Sequence, residues 1–381
     1  MVGSSTQEQA MCGNRCRSLR WLAGMLVVVA WLSSAKAAAA DSAPSGWTLD
    51  APQQHGVSAP ALAALREQLQ QSEPSVRAVL LLRNGRPVFE YHRAGLDAQT
   101  LHPVHSVTKS VVSTLAGIAI AQGKLDSADR PLASLLGEAK TPGTAPEVAG
   151  MRLQDLLSQR SGFERVGDMH GWFSAFMHQY PKQQVMDVAL QRPVQAPPGT
   201  RFLYSNLDTH LISVALGRQL GQTLADYARH ALFTPLGIRD WQWPALQGHT
   251  NGAGNLLLNA RDLARLGQLW LQKGQWQGHP LVDPAYFAEA TRAVVTDLGA
   301  EFPNRGPSRI GYGYLFWTAE GLRPGWKSFY ASGFGGQFVL VVPTHQVVIV
   351  ALTDPDAWAP EKSAANTAKL LRERLVPAIA D

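Results

Sequence analysis

Ser106 and Lys109 stand three residues apart at the head of the apolar run HPVHSVTKSVVSTLAGIAIAQGKL, residues 102–125. Val111, Val112, Leu115, Ile118 and Ala119 recur at helical spacing and Gly123 supplies a stop, so the run reads as a helix. Residues three apart share a helix face, which lets the serine hydroxyl meet the lysine amine unaided. Burial disfavours an ammonium, and a neutral amine can help deprotonate a serine. The helix N-terminus also favours negative charge on the serine oxygen. The chemistry implied is nucleophilic attack by Ser106. The spacing alone is not selective: Ser33 and Lys36 share it by accident.

Two further stretches carry suitable groups. PPGTRFLYSNLD holds Tyr204, Ser205 and Asn206. A phenol near an ammonium loses its proton more readily and can act as a general base, and an amide two residues on can orient both lysine and substrate. The same tripeptide would serve as an ordinary helix start, where Ser and Asn are common caps. The third stretch runs from Tyr330 through Ala331, Ser332, Gly333 and Phe334 to Gln337. Its glycines permit close backbone approach, and a strand edge can offer an N–H to an oxyanion. A ligand-free hairpin or bulge fits these residues too.

Other chemistries find little support. There is no G-x-S-x-G elbow for a Ser-His-Asp enzyme. His102 and His105, close to Ser106, read as surface or capping residues. No H-E-x-x-H, H-x-H or phosphate-binding G-x-x-x-x-G-K-[ST] occurs, so neither a metal nor a cofactor is expected.

The N-terminus reads as a secretory signal. Arg15, Arg17 and Arg20 precede the apolar stretch Trp21 to Leu32, and SSAKAAAAD offers cleavage after Ala37 or Ala40. That stretch is short for a membrane span, and no similar run follows. Residues 1–40 would take four of 34 Lys and Arg (Arg15, Arg17, Arg20, Lys36) and one of 29 Asp and Glu (Glu8). The remaining 30 against 28 leave +2, so the formal +5 does not argue for nucleic acid. Both cysteines, Cys12 and Cys16, precede the apolar stretch, which leaves the mature chain without a disulfide. A periplasmic or secreted protein is expected.

These groups need a scaffold. Ser58 to Gln71 reads as a capped amphipathic helix with Leu62, Leu65 and Leu69 inward. VRAVLLLRNGRPVFEYH reads as a hairpin about Asn84–Gly85. Helices are expected over Leu153–Gln159, Gln183–Leu190, Asp208–Leu220, Leu224–Leu232 and Ala260–Lys273. An aromatic tract at Trp172, Phe173 and Phe176 suits core or a pocket wall. Strand signals return in GYGYLFW, SFYASGFGGQFVLVVP and HQVVIVALT, before a last helix, Glu361–Leu375. The fold class is α/β of the α+β type: an antiparallel sheet from both chain ends (about 58–125 and 311–381), flanked by helices. A mostly helical part (about 126–310) is inserted, with a cleft between the two.

In family order, SVTK before IAIAQGKLD, LLSQRSGF, PPGTRFLYSN, FTPLGI, GAGNLLLNARDLARLGQLWLQKGQW and ASGFGGQ carry a resemblance. Residues 41–381 resemble the serine β-lactamase and penicillin-binding protein superfamily, specifically the class C β-lactamase-related hydrolases. That group includes esterases, D-alanyl-D-alanine carboxypeptidases and 6-aminohexanoate-dimer hydrolases. The resemblance implies a small ester, amide or lactam substrate and an acyl-enzyme. Ser106 resembles the nucleophile, Lys109 its partner, Tyr204 the general base and Asn206 the orienting amide. Ser332 and Gly333 match the substrate-binding strand, and the backbone N–H groups of Ser106 and Phe334 match an oxyanion hole. One departure stands out. Ala331 replaces the Lys or His of β-lactam-active members, so the substrate carboxylate loses its point charge unless Lys327, Arg309 or Arg323 folds in. Uncharged esters or amides are therefore expected over β-lactams or D-Ala-D-Ala peptides. A binding sensor that kept the fold without turnover is the alternative of another class.

Overall fold

The computed structural model describes residues 47–136, 146–164, 190–299, 309–356 and 360–380. The expected signal segment (residues 1–40), the Trp172–Phe176 tract and residues 183–189 of one expected helix lie outside them.

The hairpin forms as its sequence dictates. Strands β1 (Val76–Arg83) and β2 (Arg86–His92) pair antiparallel. Asn84 and Gly85 between them have φ of 54° and 76°, the left-handed pair that matches the twist of a two-residue turn. Near the other terminus, past a separate short ladder of β3 (His102–Pro103) and β4 (Leu257–Leu258), come β5 (Arg309–Tyr312), β6 (Trp317–Glu320), β7 (Lys327–Gly333), β8 (Gln337–Val342) and β9 (Val347–Thr353). These five join β1 and β2 in one seven-stranded sheet in the order β2-β1-β9-β8-β7-β6-β5, with every pairing antiparallel. Every residue of β9 is buried, so both faces of the sheet centre are covered. That is why VVIVALT is continuously apolar rather than alternating.

Helix α1 (Ala59–Ser72) starts at Ser58, whose Oγ accepts from the Ala61 N–H, and buries Leu62, Leu65 and Leu69. It packs on the turn Leu371–Leu375 that follows the last helix, Pro360–Leu370. The expected helix over Leu224–Leu232 appears as Leu224–Ala228 running into a wider turn, Arg229–Phe233. Helix α2 (Val107–Ala121) is buried from Val107 to Ala119 and lies against β7 and β8.

The stretch expected to be a helical part also contributes to the sheet layer. Helix α3 (Ala260–Leu271) packs on β9, β8 and β1. A Cβ on its Gly267 would stand 2.4 Å from Val348 Cγ1, so the helix backbone rests directly on the sheet. Trp270 Nε1 donates to Thr114 Oγ1 at 3.0 Å and ties α3 to α2. An amphipathic pattern reveals an apolar face but not which neighbour it will meet.

Candidate active site

Ser106 sits at the N-cap of α2, yet its hydroxyl caps no backbone N–H. It faces the lysine one turn on: Lys109 Nζ lies 3.0 Å from Ser106 Oγ. The ammonium also donates to Asn206 Oδ1 at 2.7 Å and to the Ala253 carbonyl at 2.8 Å. Ser106, Tyr204 and Asn206 are half-buried while Lys109 is fully enclosed. The Ser106 hydroxyl is therefore the more open of the pair, and the amine stands behind it. Burial pulls the Lys109 ammonium below the usual lysine range, partly offset by the Tyr204 phenol beside it.

Each partner reaches Lys109 for a local reason. Helix α4 (Asn206–Leu220) begins with the residue that binds the lysine, and Ser205 Oγ caps it through the Asp208 N–H. Upstream, Gln159 holds the segment straight: its carbonyl accepts from Leu203 N–H at 2.8 Å and its Oε1 from Ser205 N–H at 2.6 Å. Tyr204 is thus fixed between two anchored residues. Its ring stacks on Trp317, with centroids 5.8 Å apart, and Lys109 Nζ lies 5.0 Å from its ring centre. Ala253 reaches the site because Gly252 passes against α4, where a Cβ would lie 2.3 Å from the Thr209 carbonyl.

The third wall is the end of β7. Strand β6 pairs with β7 only from Lys327 to Tyr330, so Ala331, Ser332 and Gly333 are paired on the β8 side alone. The chain before β6 leaves the sheet instead: Leu315 N–H donates to the Leu157 carbonyl and Ser110 Oγ to the Leu315 carbonyl. A Cβ on Gly333 would stand 2.3 Å from the Val104 carbonyl, so the strand end and the turn leading into Ser106 touch backbone to backbone. Gln337, fully buried, fastens the next turn. Its Nε2 donates to the carbonyls of Phe334 and Thr353 at 3.2 and 3.1 Å, and its Oε1 accepts from Thr353 N–H.

The cations that could have replaced the one missing at Ala331 are engaged elsewhere. Lys327 pairs with Glu320 and Arg309 stands 4.0 Å from Asp297. Arg323 donates to the Ile379 carbonyl and lies over Trp326. Ala331 itself is fully buried.

The two histidines before Ser106 behave differently from one another. His102, expected at the surface, is buried with neither ring nitrogen partnered; burial takes it down to about 4. His105 adopts φ 48° and sets its ring edge-on to Phe334, with centroids 5.8 Å apart. Burial lowers it from the usual histidine value. Among the described residues no group of three or more His, Cys, Asp or Glu could hold a metal ion, and no helix is long and apolar enough to cross a membrane.

Sequence reasoning found Ser106, Lys109, Tyr204 and Asn206, which converge. It also named the stretch from Tyr330 to Gln337, whose Gly333 abuts the turn leading into Ser106. It missed the Ala253 carbonyl, which has no side-chain signature, and the bracing amides of Gln159 and Gln337.

The chain is similar over most of its length to proteins with known names. It is 26% identical over 304 residues, 74% of each chain, to a 6-aminohexanoate-dimer hydrolase of Paenarthrobacter ureafaciens. Among solved structures it resembles the octameric penicillin-binding protein homologue from Pyrococcus abyssi (TM-score 0.63, 18% identity, 82% of this chain and 76% of that one). It also resembles a D-stereospecific amidohydrolase from Streptomyces sp. (TM-score 0.62, 17% identity, 81% and 97%). With residues 61–374 matching the family model described as Beta-lactamase, this chain belongs to the Beta-lactamase family of serine hydrolases.

Proposed function

We propose that the protein is an exported serine hydrolase that cleaves an uncharged ester or amide through an acyl-enzyme on Ser106. One observation carries the reading: the enclosed amine of Lys109, held by three acceptors of which one is the Ser106 hydroxyl. Asn206 Oδ1 and the Ala253 carbonyl can only accept, so they hold two of the lysine's hydrogens in place. The third direction, toward Ser106 Oγ, is the one along which a proton can pass either way.

In this mechanism the Lys109–Tyr204 pair takes the Ser106 proton as Oγ bonds to the substrate carbonyl carbon. The carbonyl π electrons move to oxygen, which receives the N–H groups of Ser106 and Phe334. Each such donor is worth about 3 kcal/mol. Collapse of the intermediate breaks the bond to the alcohol or amine, which leaves with the proton held by the pair. A water then gives its proton to the same pair, attacks the acyl carbon and releases the acid, returning Ser106 to its hydroxyl form. The engaged positions of Lys327, Arg309 and Arg323 support substrates without a carboxylate at the Ala331 strand.

The test combines labelling with turnover. A fluorophosphonate should label wild type at Ser106 and leave Ser106→Ala unlabelled; labelling at another serine in both would overturn the assignment. Short-chain esters and linear amides should turn over faster than nitrocefin or a D-Ala-D-Ala peptide. Stoichiometric acylation without turnover of any of these would favour a sensor. For export, the mature protein recovered from the cell should begin after Ala37 or Ala40; an intact N-terminus would argue against it.

A further inference from the structure

We propose that the Phe334 ring, backed by His105, is the wall against which an apolar acyl chain lies, making the substrate class esters or amides of medium-chain or aryl carboxylic acids. The inference rests on the reading that Ser106 is acylated, and it adds which acid is transferred.

Three observations meet at this ring. Phe334 is 36% exposed, and among the described residues only Leu49 is another large apolar side chain left so open. An isolated surface phenylalanine needs no explanation, but this one directly follows Gly333, which is pressed against the Val104 carbonyl two residues before Ser106. The side chain of Phe334 cannot be far from any carbonyl that residue's N–H would receive. The ring is also held. The Phe334 backbone carbonyl accepts from Gln337 Nε2, and the Gly333 before it is pressed on Val104. His105, one residue from Ser106, meets the ring in an edge-to-face pair and holds a left-handed backbone that a non-glycine residue adopts at a cost. Thirdly, the neighbouring strand position that would carry a cation is the buried Ala331. No charge therefore stands at that strand position, where a substrate carboxylate would want one.

Fully burying a methylene is worth about fourfold in specificity, and roughly 1.5- to twofold when only one face of it meets an apolar wall. The experiment holds the leaving group constant and varies the acid: p-nitrophenyl acetate, butanoate, hexanoate and octanoate with wild type, Phe334→Leu and Phe334→Ala. Wild-type kcat/KM should climb along the series, by ten- to a hundredfold from acetate to octanoate. Phe334→Leu should keep most of that slope and Phe334→Ala should flatten it, whatever either does to the acetate rate. A slope unchanged in Phe334→Ala, or absent in wild type, overturns the proposal. A second arm removes the chemistry. In the Ser106→Ala background, calorimetric titration should show octanamide binding more tightly than acetamide, and adding Phe334→Ala should erase the difference. Equal binding of the two amides with Phe334 intact counts against the wall even if esters are hydrolysed. A persistent difference lost with the ring upholds it even if labelling moves Ser106 out of the nucleophile's role.

Discussion

Lys109 donates to the Asn206 and Ala253 oxygens, which can only accept, and to the Ser106 hydroxyl, which can exchange a proton with it. Removing a fixed acceptor should therefore change when the amine titrates rather than whether it sits there. Acceptors favour the ammonium, so Asn206→Leu should lower the lysine further below its usual range and move the rising limb of the kcat/KM–pH profile to lower pH. Tyr204→Phe keeps the stack on Trp317 but removes the phenol; kcat should fall by about a hundred- to ten-thousandfold with KM little changed. Steady-state kinetics across pH check both. Much of this constellation was legible in the sequence, because Ser106, Lys109, Tyr204 and Asn206 announce themselves by side-chain type and local spacing. The Ala253 carbonyl could not be read, since any residue has one. The Gln337 amide lay inside a motif that was noticed for its glycines, and nothing in its spacing said that it would reach back to Phe334. His102 was misjudged because a histidine in a short strand looks the same in sequence whether the other side is water or core.

Elements meet at this site through glycines. The contact of Gly333 with Val104 leaves no room for a methyl group, so Gly333→Ala must push the β7 end away from the Ser106 turn. Activity should drop by at least a hundredfold, in kcat more than in KM, while fluorophosphonate labelling slows and thermal unfolding shifts by only a few degrees. Beneath the Tyr204 segment, Asp208 in the first turn of α4 is fully buried. Burial pushes its carboxyl up to about 7 against the opposing pull of Ser205, Ser161 and Arg192. A folded state that holds its proton more tightly than the unfolded chain loses stability as pH rises from about 4 toward 7. Asp208→Asn should accordingly gain stability over wild type at pH 8 and lose that gain by pH 4, which urea melts at the two values will show.

At the scale of the whole molecule, Glu90 of β2 gathers separate parts of the chain. It accepts from Trp47, from His92, and from Arg261 of α3 through both oxygens. Burial alone would raise its carboxyl, but the hydrogen bonds from His92 and Arg261 prevail and take it down to about 2. A carboxyl lowered on folding contributes above its unfolded value and fades as pH falls from about 4.5 to about 2. Glu90→Gln should cost about 2 kcal/mol near neutral pH, and the gap to wild type should close across that acid window. His102 works in the same direction: being held neutral down to about 4, it weakens the fold as pH drops below 6.5. His102→Leu should thus melt at a higher temperature than wild type at pH 5, by differential scanning calorimetry.

The sheet order has a consequence in time. Strand β1 is complete at Arg83, but the neighbour that fills its open side is β9, which begins at Val347. At cellular rates of synthesis the ribosome needs roughly 15 to 50 seconds to bridge that interval. Throughout it the N-terminal hairpin holds Val79, Leu80 and Leu81 with nothing to cover one edge. Chains halted before Val347 should be cut rapidly by protease and captured by holding chaperones, and the finished protein should become resistant only once its closing strand slides between the two halves.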